Sequence, residues 1–465
     1  VQLAILRQRT AYRGASASIV VPASAWDRER LATALPFLPT GGQWRAIDDI
    51  AKAMAEGPPM LRLLQGDVGS GKTAVAFAAA QAVAAAGGQT AVMAPTEILA
   101  EQHLRTLQPW CERAGLKVAL LTGATRQGVR ESMLALLGAG ELDLLVGTHA
   151  LITGDVGFAR LGLVVVDEQH RFGVEQRARL RAKGERPHLL VMTATPIPRT
   201  LALVAYGELD VSVIDELPPG RVPPVTEVCL GGDGLARARK RVAERVRAGE
   251  QAFVVCPLVE ASDALAVTDV EASAAALRPL VPEREVAVIH GRMSSRDKDA
   301  VMGAFRRREI DVLVATTVIE VGVDVPDATV MMVEHAERFG LAQLHQLRGR
   351  VGRGGGAALC VLHGAAAPGS EVEARLSVLA DHGDGFAVAE RDLALRGPGE
   401  VFGVKQSGVP RLRLPALGGE GVPLLVAARH AAETILVGDP DLGATGLDRE
   451  LARRLAHTKV VGQAG

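Results

Sequence analysis

Aromatic residues are scarce in this sequence: 9 Phe, 3 Trp and 2 Tyr among 465 residues, 3% in all. A chain that held nucleic acid by stacking bases on aromatic platforms would carry more. Charge of one sign is lacking as well. With 52 Lys and Arg against 53 Asp and Glu the formal net charge is -1, so no broad basic field is available as a grip. If this chain handles nucleic acid, it does so through local phosphate contacts. Cysteine is sparse too: Cys111, Cys229, Cys256 and Cys360 stand far apart with no CxxC pair. That spacing suggests neither a disulfide framework nor a zinc site, and a reducing cytoplasm fits it best. No apolar run approaches the roughly 18 residues of a membrane span. The N-terminal stretch Val1–Arg7 lacks the basic, apolar and small-residue order of a signal peptide.

What is present is ordinary globular material, with 48% hydrophobic and 23% charged residues, which excludes disorder over most of the chain. The length suggests about three domains of roughly 150 residues. Residues 1 to 35 hold a short helix-like start and a Ser/Ala-rich stretch. There is no initiator Met, so the chain reads as cut, with an N-terminal region expected to be missing. From 36 onward, apolar runs at 61–65, 90–93, 142–146, 163–166 and 189–192 alternate with helical patterns such as Thr73–Ala86. Runs without polar alternation suit a parallel sheet covered on both faces, hence a doubly wound α/β domain. The Pro-rich stretch 217–224 reads as a linker. The pattern then restarts at 252–256, 286–289, 311–315, 329–333 and 358–362 as a second α/β domain. After 365, Arg/Gly-rich turns alternate with helical segments. The two halves resemble each other only as architecture.

Gly66-Asp67-Val68-Gly69-Ser70-Gly71-Lys72-Thr73 fits GxxxxGK[ST] between a strand and a helix. Its glycines let backbone N–H groups close on phosphate oxygens at a helix N-terminus. Lys72 would reach the β and γ phosphates and Thr73 would ligate Mg²⁺. Asp167-Glu168 closes the strand 163–166. Taken alone it could be a solvated turn; with a phosphate loop upstream, Asp167 would hold Mg²⁺ and Glu168 would orient or deprotonate the attacking water. Arg350 and Arg353 stand three apart, as on one helical face. They read either as a basic surface or as arginine fingers, which contribute on the order of 10³ to 10⁵ in rate. Lys72 and these arginines fall in different domains, so the finger reading requires the domains to close on each other.

With these residues in hand the chain resembles superfamily 2 helicases. Leu38-Pro39-Thr40 with Gln43 is similar to the adenine-sensing Q motif, 94–103 to motif Ia, and 147–150 to a nearby strand-contacting motif. Asp167-Glu168-Gln169-His170 resembles the DExH motif II, Thr193-Ala194-Thr195-Pro196 motif III, 315–324 motif V and 346–353 motif VI. The stretches 167–174, 214–221 and 335–341, with Arg391-Asp392-Leu393, Arg396-Gly397-Pro398-Gly399-Glu400 and Gln406-Ser407-Gly408, narrow the resemblance to the RecG family of bacterial branch-migration helicases. The transcription-repair coupling factor shares the last of these elements, a translocation motif. The Gly41-Gly42 pair before Gln43 departs from the family, which usually has a helix-forming residue there.

The resemblance implies two tandem RecA-like doubly wound parallel-sheet domains (36–220 and 221–365), preceded by the end of an N-terminal linker (1–35). A mainly helical translocation region (366–465) follows. It implies ATP and Mg²⁺ as cofactors, with Gln43, the loop 66–73 and Asp324 on the nucleotide. Gln169, His170, Thr193, Thr195 and Gln346 would couple hydrolysis to movement. Thr96, Thr148, Thr316, Thr317, Arg391 and Arg396 would serve DNA contact or translocation. In the family, motifs Ia, Ib and V lie on the sheet edge opposite the ATP cleft. The expected activity is ATP-driven movement on double-stranded DNA that remodels stalled forks and Holliday junctions in repair and recombination. Branched duplex DNA is the expected partner and a single-strand-binding protein a further candidate, with a monomer and no membrane. Competing readings are a coupling-factor motor, an RNA-unwinding DExH enzyme and a non-catalytic nucleic-acid clamp. The family's N-terminal wedge domain, built on an oligonucleotide-binding fold, is expected to be missing ahead of residue 36.

Overall fold

The computed structural model describes residues 2–14, 16–168, 174–194, 209–257, 263–316, 325, 327–354, 356–396, 421–440, 442–443 and 446–456. Tertiary contacts divide the chain into two compact units, one of 1–66, 70–216 and 396–465, the other of 67–69 and 217–395.

The first unit is built on seven strands: β1 Leu61–Gly66, β2 Gln89–Met93, β3 Val118–Leu121, β4 Leu144–Gly147, β5 Leu161–Asp167, β6 His188–Thr193 and β7 Asp210–Ile214. They run in the order β3-β4-β2-β5-β6-β1-β7. Every pairing is parallel. The chain therefore moves outward from β1 to β3 and returns through β4, β5 and β6 to β7. Such a reversal leaves a crevice at the C-terminal strand ends. The five inner strands are nearly uniformly buried, as their Val- and Leu-rich make-up requires with helices on both faces, while the edge strands β3 and β7 are partly exposed. Strands β3 and β7 are additions to the five expected in this half; both flank the sheet as its edges.

The second unit carries β8 Val225–Leu230, β9 Gln251–Val255, β10 Val286–Ile289, β11 Val312–Ala315, β12 Ala328–Val333 and β13 Leu359–Gly364, in the order β10-β11-β9-β12-β13-β8. Again all pairs are parallel. Along β9, Phe253 and Val255 enter one core while Ala252 and Val254 enter another, so both faces are covered. Past β13, helices Glu371–Asp381, Gly385–Arg396, Gly421–Gly438 and Leu447–Ala456 follow. The helix Gln2–Arg13 packs on Gly421–Gly438 through Leu6, Ala432 and Leu436.

One expectation needs correcting here. Apart from the added edge strand β7, the second sheet repeats the strand order of the first, and the likeness extends to the sequence. Gly87, Gln89, Val92 and Pro95 around β2 recur as Gly249, Gln251, Val254 and Pro257 around β9. Glu141, Asp143, Leu145, Val146 and Thr148 around β4 recur as Glu309, Asp311, Leu313, Val314 and Thr316 around β11. The repeated side chains do the same work. Gln89 Nε2 donates to Leu137 O and Leu142 O; Gln251 Nε2 donates to Phe305 O and Ile310 O. Each buried amide satisfies carbonyls left open between a helix end and the following strand.

No helix among the described residues is long and apolar enough to cross a membrane. The four cysteines are free thiols. Burial pushes those of Cys111 and Cys360 up to about 12.

Candidate nucleotide and nucleic-acid site

The parallel sheet brings the C-terminal ends of β1, β6 and β5 side by side. Gln65 pairs with Thr193 and Met192 with Asp167, so Thr193 stands between the phosphate loop and the acidic pair. Two strand spacings, about 10 Å, separate the ends of β1 and β5.

After β1 the loop turns into the helix Lys72–Ala85. Gly69 has φ +75° and Gly71 φ +86°, a left-handed backbone that favours glycine. A Cβ on Gly71 would stand 2.1 Å from Gln43 Nε2 and one on Gly66 2.5 Å from Ser70 Oγ. Gln43 is 1% exposed and does three things at once. Its Nε2 donates to Ser70 O at 2.8 Å, its Oε1 accepts from Thr40 N at 3.0 Å, and its backbone N–H donates to Thr40 Oγ1 at 3.3 Å. The last two form a capping box that starts the helix Gly41–Ala55, so the glutamine is fixed by its own helix and touches the phosphate loop. The unusual Gly42 has a local reason: its N–H donates to Glu216 Oε1, and a Cβ there would lie 3.0 Å from that oxygen. Asp215 pairs with Arg45 of the same helix at 2.6 Å.

Lys72 Nζ donates to Gly66 O at 2.8 Å. Asp167 is largely buried. Burial alone would raise its carboxyl, but the hydrogen bond and charge of His103 and the charge of Lys72 hold it below the ordinary value. It is therefore ionised and electrostatically joined to Lys72. Oδ2 lies 2.8 Å from His103 Nε2 and Oδ1 accepts from Glu168 N at 3.1 Å. Glu168 adopts φ +52°, an uncommon conformation for a residue with a Cβ. A glycine cradle closed by Gln43, a lysine and an ionised carboxylate suit a nucleotide polyphosphate. The hydroxyl of Thr73 with the Asp167 carboxylate is an all-oxygen donor set suited to Mg²⁺. Sequence reading includes His103 at the end of the stretch similar to motif Ia but gives it no role toward Asp167; no spacing links positions 103 and 167, and only the fold joins them.

Two geometric expectations are corrected. Thr96 and Thr148 follow β2 and β4, whose C-terminal ends share one edge with Gly66, Asp167 and Thr193. The candidate strand contacts therefore adjoin the nucleotide residues rather than occupy the opposite edge, because every strand is parallel. Thr96 is half-buried and caps the helix Glu97–Ala114. Thr148 is 1% and Thr316 2% exposed, so neither presents a hydroxyl at the surface. The second correction concerns the arginines. The helix Leu341–Arg348 ends before them, and Arg350 and Arg353 lie in the turn that follows, not on a helical face. Gly349 caps the helix, and Gly352 at φ +75° carries the chain away from it. Gln346 is buried on this helix and Arg350 is 8% exposed. Arg348, given no role by sequence, is a buried anchor: its guanidinium donates to His382 O at 2.8 Å and Gly383 O at 2.9 Å, and also to Leu379 O.

Arg391 is exposed on the helix Gly385–Arg396, whose last residue, Arg396, has no described side chain. Gln169, His170, Thr195, Thr317 and Asp324 lie outside the described residues.

Residues 40–204 match the DEAD/DEAH box helicase family and 234–355 the helicase conserved C-terminal domain. Residues 382–458 match the C-terminal part of domain 3 of the ATP-dependent DNA helicase RecG. The chain is 48% identical over 448 residues to the ATP-dependent DNA helicase RecG of Synechocystis, covering 95% of this chain and 53% of that protein. Against the protein of that name from Escherichia coli K12 it is 49% identical over 394 residues, covering 83% and 57%. The chain thus spans little more than half the length of these relatives. A solved structure of RecG bound to a three-way DNA junction aligns with TM-score 0.76 and 41% identity, over 93% of this chain and 55% of that one. A helicase Lhr from Mycobacterium smegmatis, at 20% identity and TM-score 0.57, shares the fold.

Proposed function

Because this chain belongs to the RecG family of ATP-dependent DNA helicases, we propose that it is an ATP-driven motor that moves on double-stranded DNA and remodels branched junctions in repair and recombination. The carrying observation is the closure of Gln43 on the Ser70–Gly71 loop beside Lys72 and the ionised Asp167. In this reading 36–220 and 221–365 are the two motor domains, 1–35 ends a linker, and 366–465 holds the translocation element.

Lys72 neutralises the terminal phosphates, while Thr73 and Asp167 hold Mg²⁺. When bound, the ion shields the phosphate charge and orients the transferred group. In this reading Glu168 takes the attacking water, Arg350 and Arg353 serve as arginine fingers, and Gln43 and Asp324 read the nucleotide. Thr193, with Gln169, His170, Thr195 and Gln346, relays the state of the pocket. Thr96, Thr317, Arg391 and Arg396 serve the strand or its movement, and Thr148 and Thr316 shape the backbone beneath it. The chain works as a monomer in the cytoplasm, with a single-strand-binding protein as a candidate partner.

The test is ATP hydrolysis with single-stranded, duplex and four-way DNA and with RNA. Four-way and duplex DNA should stimulate most, and Lys72→Ala should abolish turnover. Equal stimulation by all four nucleic acids would reduce the reading to a nucleic-acid-dependent ATPase. Turnover retained by Lys72→Ala would overturn the pocket assignment.

A further inference from the structure

The carboxylate given to the metal ion above has both oxygens engaged by the protein. Glu168 N–H holds Oδ1 at 3.1 Å and His103 Nε2 holds Oδ2 at 2.8 Å. The backbone donor is the adjacent residue and leaves the carboxylate free to swing about its last torsion, which has a broad energy well. The imidazole removes that freedom. His103 is 8% exposed and sits on the helix Glu97–Ala114, about two turns from its N-cap Thr96. That helix is a single body 18 residues long, so a side chain two turns inside it moves little with respect to the cap.

We infer that His103 is the positioning residue of the metal-holding carboxylate, and that through it Asp167 is fastened to the helix whose first turn is the candidate strand contact. The inference rests on the nucleotide-pocket reading proposed above. Its chemistry is that of an outer partner to a metal ligand: the donor sets the orientation of the carboxylate and takes no part in bond making. Loss of such a partner typically weakens metal affinity about 10- to 100-fold. A plain packing role makes a different demand, since it would be filled by bulk and reported by thermal stability alone.

The experiment uses the full chain with ADP and reads Mn²⁺ binding by electron paramagnetic resonance, with metal-free ADP binding and thermal melting measured alongside. His103→Ala should weaken Mn²⁺ binding about tenfold or more. Metal-free ADP binding should stay at the parent level. His103→Gln keeps an N–H donor at similar reach and should recover most of the Mn²⁺ affinity. Parent-like Mn²⁺ binding by His103→Ala overturns the inference. So does a loss in His103→Gln equal to that in His103→Ala, which would assign the imidazole to packing. Lys72→Ala serves as the control: if it binds ADP and Mn²⁺ as tightly as the parent, the pocket reading itself fails and this inference falls with it.

Discussion

Among the described residues of the first unit, Glu168, Arg186 and Leu442 carry a Cβ at positive φ, and of these only Glu168 lies in the candidate site. A Cβ-bearing residue at φ +52° costs about 1–3 kcal/mol and persists only where its surroundings hold it there. It follows directly on Asp167, where a base or water-orienting group is needed. Glu168→Asn, which tolerates the left-handed region better, should raise stability by about 1 kcal/mol while stopping hydrolysis. Paired melting curves and ATPase rates check this; an unchanged or lowered midpoint would remove strain from the account. Gly71 makes the opposite case. Gly71→Ala adds both an unfavourable φ and a Cβ on the Gln43 amide, so nucleotide affinity should fall sharply. Nucleotide titration of that variant decides it, and parent-like binding would show that Gln43 can yield.

At the scale of elements, β6 shows how a polar residue can fasten a strand. His188 opens it and is fully buried; Nδ1 accepts from Met60 N at 2.9 Å and Nε2 donates to Ile19 O at 2.7 Å. The ring therefore joins the start of β1 and the segment before it. Burial pushes its pKa down from 6.5 to about 4, with the Ile19 carbonyl opposing. Between those values the unfolded chain binds a proton that the folded chain refuses. The contribution is thus complete above pH 6.5 and is lost as pH falls toward 4, by roughly 3 kcal/mol. Urea midpoints of the parent should fall across that window more steeply than those of His188→Gln, and parallel slopes would exclude the imidazole as the cause. Elements of this kind also mark the limit of sequence reading. The ten expected strands are present because each is dominated by apolar residues, with polar ones such as Arg62, Gln65 and Thr90 interspersed. Strands β3, β7 and β8 are absent from such a reading: Val118–Leu121 is an apolar run as long as β10 and legible by the same rule, whereas Asp210–Ile214 and Val225–Leu230 carry Asp, Ser, Thr and Glu at sheet edges. The phosphate loop is legible because its chemistry is contiguous. The bond from His103 to Asp167 is not, since it joins distant positions. The paired Gln89 and Gln251 segments are legible in principle, once the halves are laid side by side.

For the molecule as a whole, the near-zero net charge has a structural counterpart. The helix Gly234–Arg247 is rich in arginine and reads as a basic face, yet four of its arginines pair with carboxylates within the second unit. Arg237 pairs with Asp233, Arg239 with Glu334, Arg241 with Glu227 and Arg245 with Glu250, while Arg247 donates to Leu280 O. Of these pairs the Arg239–Glu334 bridge is the most buried, with Ser273 Oγ also donating to Glu334 at 2.8 Å. Arg239→Ala strands a buried carboxylate and should cost about 3–5 kcal/mol. Arg241→Ala removes a half-exposed pair and should cost under about 1 kcal/mol. Chemical denaturation of both variants checks the order; a reversal would mean that burial does not govern this network.

The packing of Gln2–Arg13 against Gly421–Gly438 has a consequence for biosynthesis. The seven-stranded sheet is complete once Ile214 has left the ribosome, but the partner of Gln2–Arg13 is made about 400 residues after it. At about 5–20 residues per second, that helix waits roughly 20–90 s with its apolar side uncovered. The nascent chain therefore carries a chaperone-accessible surface on this helix until its partner helix has been made.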